Sequence, residues 1–237
     1  MVPEINPQDV KNHHGIISNP NCSTIITVTA VNALNAISPI RTMTASTYQA
    51  VSGAGKEGID ELDAQVRDHS EGREMTANIL PSASAEKHYP IAFNLIPQID
   101  VFCDNLYTKE EMKMVNETKK IMEDYEMRIT ATTIRVPVYR SHSESVNIEL
   151  EKEVDLGAMR EALAKFPGVT VQDDPSKQEY PMPLYTSEKD DVYVGRLRRD
   201  ESCEKSYNMW VVGDQIRKGA ALNTLQIAET MIKNGWI

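Results

Sequence analysis

The stretch ITATTIRVPVYRSHSESVNIELE, residues 129–151, decides the fold. Threonine, isoleucine and valine crowd it, and such β-branched side chains favour a pleated strand over a helix. It reads as two β-rich stretches joined by a polar turn. On its C-terminal side a short helix is predicted over 155–166. PGVTV (167–171) follows, then a loop rich in Pro, Asp and Tyr, and the strand-like runs VYVGRLR (192–198) and YNMWVVG (207–213). The last segment, KGAALNTLQIAETMIKNG (218–235), is amphipathic and stops at Gly235, a residue suited to a helix C-terminus.

On the N-terminal side, Thr108 and Glu111 have capping-box spacing and open a helix over KEEMKMVNETKKIMEDY (109–125). Met112, Val115, Met122 and Tyr125 are expected to share its buried face. RTMTASTYQAVSG (41–53) reads as a strand, followed by a Gly-rich turn and the helix GIDELDAQVRDHS (58–70). CSTIITVTAVNALNAI (22–37) is ambiguous: its β-branched residues favour a strand, while Ile26, Ala30, Ala33, Leu34 and Ile37 suit a helical face that Asn21 would cap. Residues 1–15 read as a loop or strand connection. Interspersed helices and strands without repeats or low-complexity segments predict an α+β (α/β layered) fold, a mixed sheet flanked by helices.

The bulk numbers narrow the function. At 237 residues the chain can bury a sizeable core as one large domain or two small ones. A net charge of −10 argues against nucleic-acid or anionic-membrane partners, since phosphate surfaces need clustered Lys and Arg; a small anionic substrate held by local cations is still allowed. Cys22, Cys103 and Cys203 lie far apart without a CxxC pair, which suits a reduced cytoplasmic protein and neither a disulfide framework nor a metal site. The first residues carry no apolar signal core, and no uncharged run approaches a membrane span.

Cys22 attracts attention as a nucleophile. A thiol in the first turn of a helix feels the positive end of the dipole, which favours thiolate. Most free cysteines are nonetheless inert core residues. A nucleophile needs a base, and of the five histidines His142 lies in a polar stretch beside strands, whereas His13, His14, His69 and His88 fall in surface loops. Taken alone, neither residue establishes chemistry.

Seven blocks taken together go further. NPNCST (19–24), STYQAVSGAG (46–55), IPQID (96–100), YTKEEMK (107–113), IRVPV (134–138) followed by HSES, VGRLRRD (194–200) and KGAALN (218–223) resemble bacterial aspartate-semialdehyde dehydrogenase in order and spacing. The resemblance implies NADPH-dependent reductive dephosphorylation of L-aspartyl 4-phosphate to the 4-semialdehyde, in lysine, threonine, methionine and diaminopimelate biosynthesis. It makes Cys22 the nucleophile that forms a thioester, and His142 the acid/base that takes its proton and later protonates the departing hemithioacetal. Gln49 would orient the acyl group. Arg135 would grip the α-carboxylate, Glu110 the α-ammonium group, and Lys113 and Asn21 the phosphate. Ser52, Gly53 and Asn223 would approach the nicotinamide end of NADP. Outside that resemblance, Gln49 is an amide at a strand end, Glu110 and Lys113 an exposed i,i+3 pair, and SGAG a flexible turn.

The resemblance also implies a fold like the catalytic and dimerisation domain of glyceraldehyde-3-phosphate dehydrogenase, and a homodimer. Residues 1–22 would be a remnant of a nucleotide-binding domain, 23–215 the catalytic and dimerisation domain, and 216–237 a helix returning to the nucleotide-binding domain. No Gly-rich loop precedes Cys22, so the nucleotide-binding half is expected to be missing, the apolar faces of the two end segments to be exposed, and the chain to be inactive alone. Three rivals remain: an N-acetyl-glutamyl-phosphate reductase with a similar Cys/His pair, a non-catalytic dimerisation fragment, and a thiol hydrolase built on Cys22 and His142.

Overall fold

The computed structural model describes residues 1–237. Its centre is a helix that the hydrophobic pattern left ambiguous, α1 (Cys22–Asn35). Eleven of its residues, from Ser23 to Leu34, are buried, so it has no polar face to reveal a helical period. Asn21 caps it, accepting a hydrogen bond from the Thr24 N–H at 3.0 Å.

Around α1 runs one six-stranded sheet. Its strands are β1 (Ile40–Gln49), β2 (Arg128–Arg135), β3 (His142–Leu150), β4 (Val169–Val171), β5 (Val192–Arg199) and β6 (Ser206–Gly213). Their spatial order is β2-β1-β3-β6-β5-β4. The stretch at 129–151 does supply two strands, yet they do not pair with each other. β1 lies between them, parallel to β2 and antiparallel to β3. β6 joins β3 and β5 antiparallel, and β4 closes the edge parallel to β5. The predicted mixed sheet with flanking helices is therefore the observed architecture.

The even-numbered residues of β3 from Val146 to Leu150 face the main core. There they join Ile26, Ala30 and Leu34 of α1 and Met43 and Ala45 of β1. Met159 and Leu163 of α4 (Leu156–Lys165) close that core from another side. A second cluster of Val51, Leu62, Leu80, Ile91, Ala92 and Ile96 seats α2 (Lys56–Ser70) and the irregular segment after it. Polar pins hold that segment: Glu61 accepts from the N–H groups of Asn78, Ile79 and Leu80, and Gln65 Oε1 accepts from those of Ile91 and Ala92. These bonds satisfy backbone that neither helix nor sheet provides for.

Three predicted features change. The helix opened by Thr108 is α3 (Lys109–Ile121), shorter than 109–125, and Glu123 adopts φ 53° just beyond it. Its buried face carries Glu111, Met114, Thr118 and Ile121, and Tyr125 is 68% exposed. The apolar pattern misleads because Glu111 is turned inward, bonded to the N–H groups of Thr108 and Thr133. Residues Pro7–Asn12 form a 3-10 turn where a loop or strand connection was expected.

The end segments, expected to be exposed, instead pack on one another. Val10 meets Ile227 and Met231 of α6 (Leu222–Lys233), although Ile16 (86% exposed) and Ile232 (66%) still face solvent. The buried Lys218 ammonium clamps the two, donating to both Glu4 carboxylate oxygens at 2.7 Å, to Gln226 Oε1 at 2.8 Å and to Asn223 Oδ1 at 3.2 Å. The remaining short helix is α5 (Pro183–Thr186).

Thr108→Ala removes one half of the α3 capping box. It should lower unfolding free energy by about 1 kcal/mol in urea titration; an unchanged midpoint would deny the cap its role.

Candidate functional site

The site forms where the N-terminus of α1, the ends of β1 and β2, the start of β3 and the first turn of α3 converge. Each element delivers its side chain by a local rule. The capping box fixes where α3 starts, so Glu110 lies in its first turn. Gln49 and Arg135 end the parallel strands β1 and β2 in register with one another. His142 begins β3.

Glu110, only 6% exposed, holds the arrangement together. Its Oε1 accepts from Asn21 Nδ2 at 2.7 Å and from Gln49 Nε2 at 3.2 Å; its Oε2 accepts from Lys113 Nζ at 3.3 Å. The pair with Lys113 is thus half-buried, not the exposed ion pair of the simpler reading. Lys113 also reaches Asp100 at 3.3 Å. Partial burial lowers the Lys113 pKa, but Glu110 and Asp100 outweigh it and raise the group above its ordinary value.

Arg135 is 2% exposed, yet no carboxylate pairs with it. Its Nη1 donates to Ala50 O at 2.7 Å and its Nε to Pro81 O at 3.3 Å, leaving Nη2 uncommitted. Burial lowers its pKa, against the attraction of the Cys22 sulfur and Glu110.

The Ala50 N–H donates to Nδ1 of the fully buried His142 at 3.1 Å. A neutral ring that accepts at Nδ1 carries its proton on Nε2. Burial, then Arg135, holds the ring well below the usual imidazole pKa, so it is neutral at pH 7. Nε2 has no partner in the chain and faces Gly53. A Cβ at Gly53 would sit 2.8 Å from Arg135 Nη1 and 3.4 Å from His142 Nε2, so only glycine leaves this space open.

Cys22 opens α1, partly buried, with Gly219 packed so closely that a Cβ there would stand 3.0 Å from Cys22 Cβ. The surroundings of the sulfur oppose the expected thiolate. Burial, reinforced by the negative charge of Glu110 and only partly opposed by Arg135, pushes the Cys22 thiol up to about 12. The Ser23 N–H at the helix N-terminus favours the thiolate but does not offset this desolvation.

Not every expected residue is free for its expected part. Asn21 spends its Oδ1 on capping α1 and one amide hydrogen on Glu110. Both Asn223 amide hydrogens are taken, by Met1 O at 3.2 Å and Asn19 Oδ1 at 2.7 Å, and the residue is fully buried at the joint between the end segments. Ser52 is buried, its hydroxyl held by Gln215 Nε2. Sequence reasoning missed Gln215, whose Oε1 also accepts from the Ser141 N–H at 3.0 Å, and the buried carboxyl of Glu144. The alternation of HSES carried a signal for the latter, since residues two apart on a strand share a face. No cluster of three or more metal-ligating side chains occurs.

Comparison with known proteins shows what the chain as a whole is similar to. A family model described as semialdehyde dehydrogenase, dimerisation domain, matches residues 31–218. Aspartate-semialdehyde dehydrogenase of Aquifex aeolicus is 49% identical over 239 residues, covering 100% of this chain and 68% of that protein. The Bacillus subtilis protein of the same name is 48% identical, covering 98% of this chain and 68% of its own length. Among solved structures, aspartate semialdehyde dehydrogenase II from Vibrio cholerae superposes with a TM-score of 0.91 at 41% identity, over 98% of this chain and 68% of that one. A second structure of that protein is described as complexed with ASA.

The thiol state makes a prediction. At neutral pH, iodoacetamide should label exposed Cys203 well before Cys22 in the folded chain, followed by peptide mass spectrometry. Faster labelling of Cys22 would contradict the assignment of a protonated resting thiol.

Proposed function

The chain belongs to the aspartate-semialdehyde dehydrogenase family, and on that premise we propose that its site converts L-aspartyl 4-phosphate to L-aspartate 4-semialdehyde through a thioester on Cys22. One observation carries the reading. A buried carboxylate, Glu110, and a buried guanidinium, Arg135, both act on the Cys22 sulfur without pairing with each other. Opposite charges kept apart in this way suit a zwitterion, with the α-carboxylate on the free Nη2 of Arg135 and the α-ammonium group on Glu110. Glu110 would have less purpose against the acylated, uncharged amine of an N-acetyl-glutamyl phosphate.

Cys22 attacks the acyl carbon, and its proton leaves with the phosphate, for which Lys113 is the assigned cation. Gln49 orients the acyl group. His142 acts as a donor: Nε2–H points at the oxygen that becomes anionic when the acyl carbon turns tetrahedral. A neutral ring that accepts from the Ala50 N–H at Nδ1 carries its proton on Nε2, so we assign it donation here in place of the expected removal of the thiol proton. NADPH, when bound, supplies the hydride. Collapse of the adduct frees the aldehyde and expels the sulfur, and a proton from solvent restores the thiol.

Gly53 fits a flat group approaching beside His142, and Ser52 lies next to it. Asn223 fits the cofactor poorly, since its amide hydrogens are already spent. The rest of the nucleotide site is proposed to lie in the third, roughly, of the relatives that this chain does not span. The dimerisation-domain model over 31–218 supports a homodimer. No helix is long and apolar enough to cross a membrane. We place the protein in the cytoplasm, on the route to lysine, threonine and methionine.

The reading is tested by joining the chain to the nucleotide-binding half of a relative and measuring NADP-dependent oxidation of aspartate semialdehyde in phosphate. Turnover should appear and vanish in Cys22→Ser. Arg135→Lys, which keeps charge but cannot hold Ala50 O and Pro81 O while also meeting the carboxylate, should chiefly raise KM, by roughly ten-fold. A folded, dimeric, completed chain without activity would sink the reading, and activity confined to the N-acetyl-glutamyl substrate would favour the reductase.

A further inference from the structure

Glu144 has no part in that mechanism, and its surroundings are unusual for a carboxyl. It follows His142 by two residues on β3, so both project to the face that α1 covers. Gly213, the β6 partner of His142, lies against Ile26, and Thr27 donates its hydroxyl to Glu144 Oε2. The first two turns of α1 therefore lie over the first residues of β3, with Cys22 at the helix tip. In register, Thr47 and Val211 flank Glu144, and Val146 continues its face into the apolar core.

Glu144 is fully buried, no cation pairs with it, and Oε1 has no partner at all. A carboxylate so placed gives up its charge by binding a proton. Burial, opposed only by the Thr27 hydrogen bond, pushes the group up to about 8. The ionisable groups around it are His142 on its own strand and Cys22 on α1. Glu110 from α3 and Arg135 from β2 act on the same sulfur. Of these, His142 is neutral, so charge in this corner is shared among two carboxyls, one thiol and one guanidinium.

We propose that Glu144 is a positioning residue for the nucleophile: it keeps a proton, sparing the Cys22 sulfur a second buried anion, and its carboxylate and the Cys22 thiolate disfavour one another. The proposal rests on Cys22 being the nucleophile. Because the two ionisations oppose each other, they titrate as a coupled pair. Below about pH 8 Glu144 is neutral and adds nothing against the thiolate; above it the new carboxylate makes the thiol harder still to ionise.

The test is the pH profile of Cys22 alkylation by iodoacetamide, read from the Cys22 peptide of the chain and of Glu144→Gln. Glutamine keeps the shape and an acceptor for Thr27 but cannot ionise. In the unmodified chain the logarithm of the rate should rise, flatten as Glu144 loses its proton, and rise again. Glu144→Gln should rise without the plateau and react roughly three- to ten-fold faster above it. A purely structural role would displace the whole profile by one factor, so parallel or superimposed profiles overturn the proposal.

Should Glu144→Gln not fold, carbon-13 NMR of glutamate carboxyls in the unmodified chain decides. One carboxyl should titrate near pH 8; titration of every glutamate below about pH 6 overturns the proposal. Neither readout needs substrate or turnover, so an inactive completed enzyme and a failed Glu144 test are separate results.

Discussion

The hydrogen bonds that converge on the Glu110 carboxylate are the constraint on which the rest depends. Asn21 brings the start of α1 to it, Gln49 the end of β1, and Lys113 the next turn of α3. Hydrogen bonds to an ionised group contribute about 1.5–3 kcal/mol each, and losing the shared acceptor would leave buried amides unsatisfied. Three elements far apart in sequence are thereby set to within one side chain of each other. Cys22 follows Asn21, so the same contact that anchors the helix cap aims the thiol.

The cluster also sets the electrostatic character of the site. Glu110 and the buried surroundings keep the Cys22 proton in place, while Arg135 pulls the other way from the end of β2. A resting thiol is inert toward stray electrophiles. His142, pinned by the Ala50 N–H and held neutral by its burial, adds no charge to this balance.

Local signals were legible in the sequence and tertiary ones were not. The Thr108 capping box and the Asn21 cap are short-range patterns, and both form as read. The strands around the 129–151 stretch were visible for the same reason, but their separation by β1 is a long-range pairing that no local pattern encodes. α1 looked equally like a strand because it is buried all round and its apolar residues show no period. The Cys22 thiolate was misjudged because the helix dipole is written in the sequence, whereas desolvation by Gly219 and its neighbours comes only with the fold. Asn223 was placed at the cofactor by resemblance; the clamp of Lys218, Glu4 and Asn19 that occupies it spans opposite ends of the chain.

If the residues gathered around Glu110 make Cys22 an acyl acceptor for aspartyl phosphate, the bond can be caught on the chain itself. The most direct measurement is peptide mass spectrometry of the folded chain after brief exposure to L-aspartyl 4-phosphate without nucleotide. The account predicts an aspartyl adduct on Cys22 alone, released by hydroxylamine as a thioester would be. An adduct spread equally over Cys22 and exposed Cys203, or none on a folded chain, would contradict it.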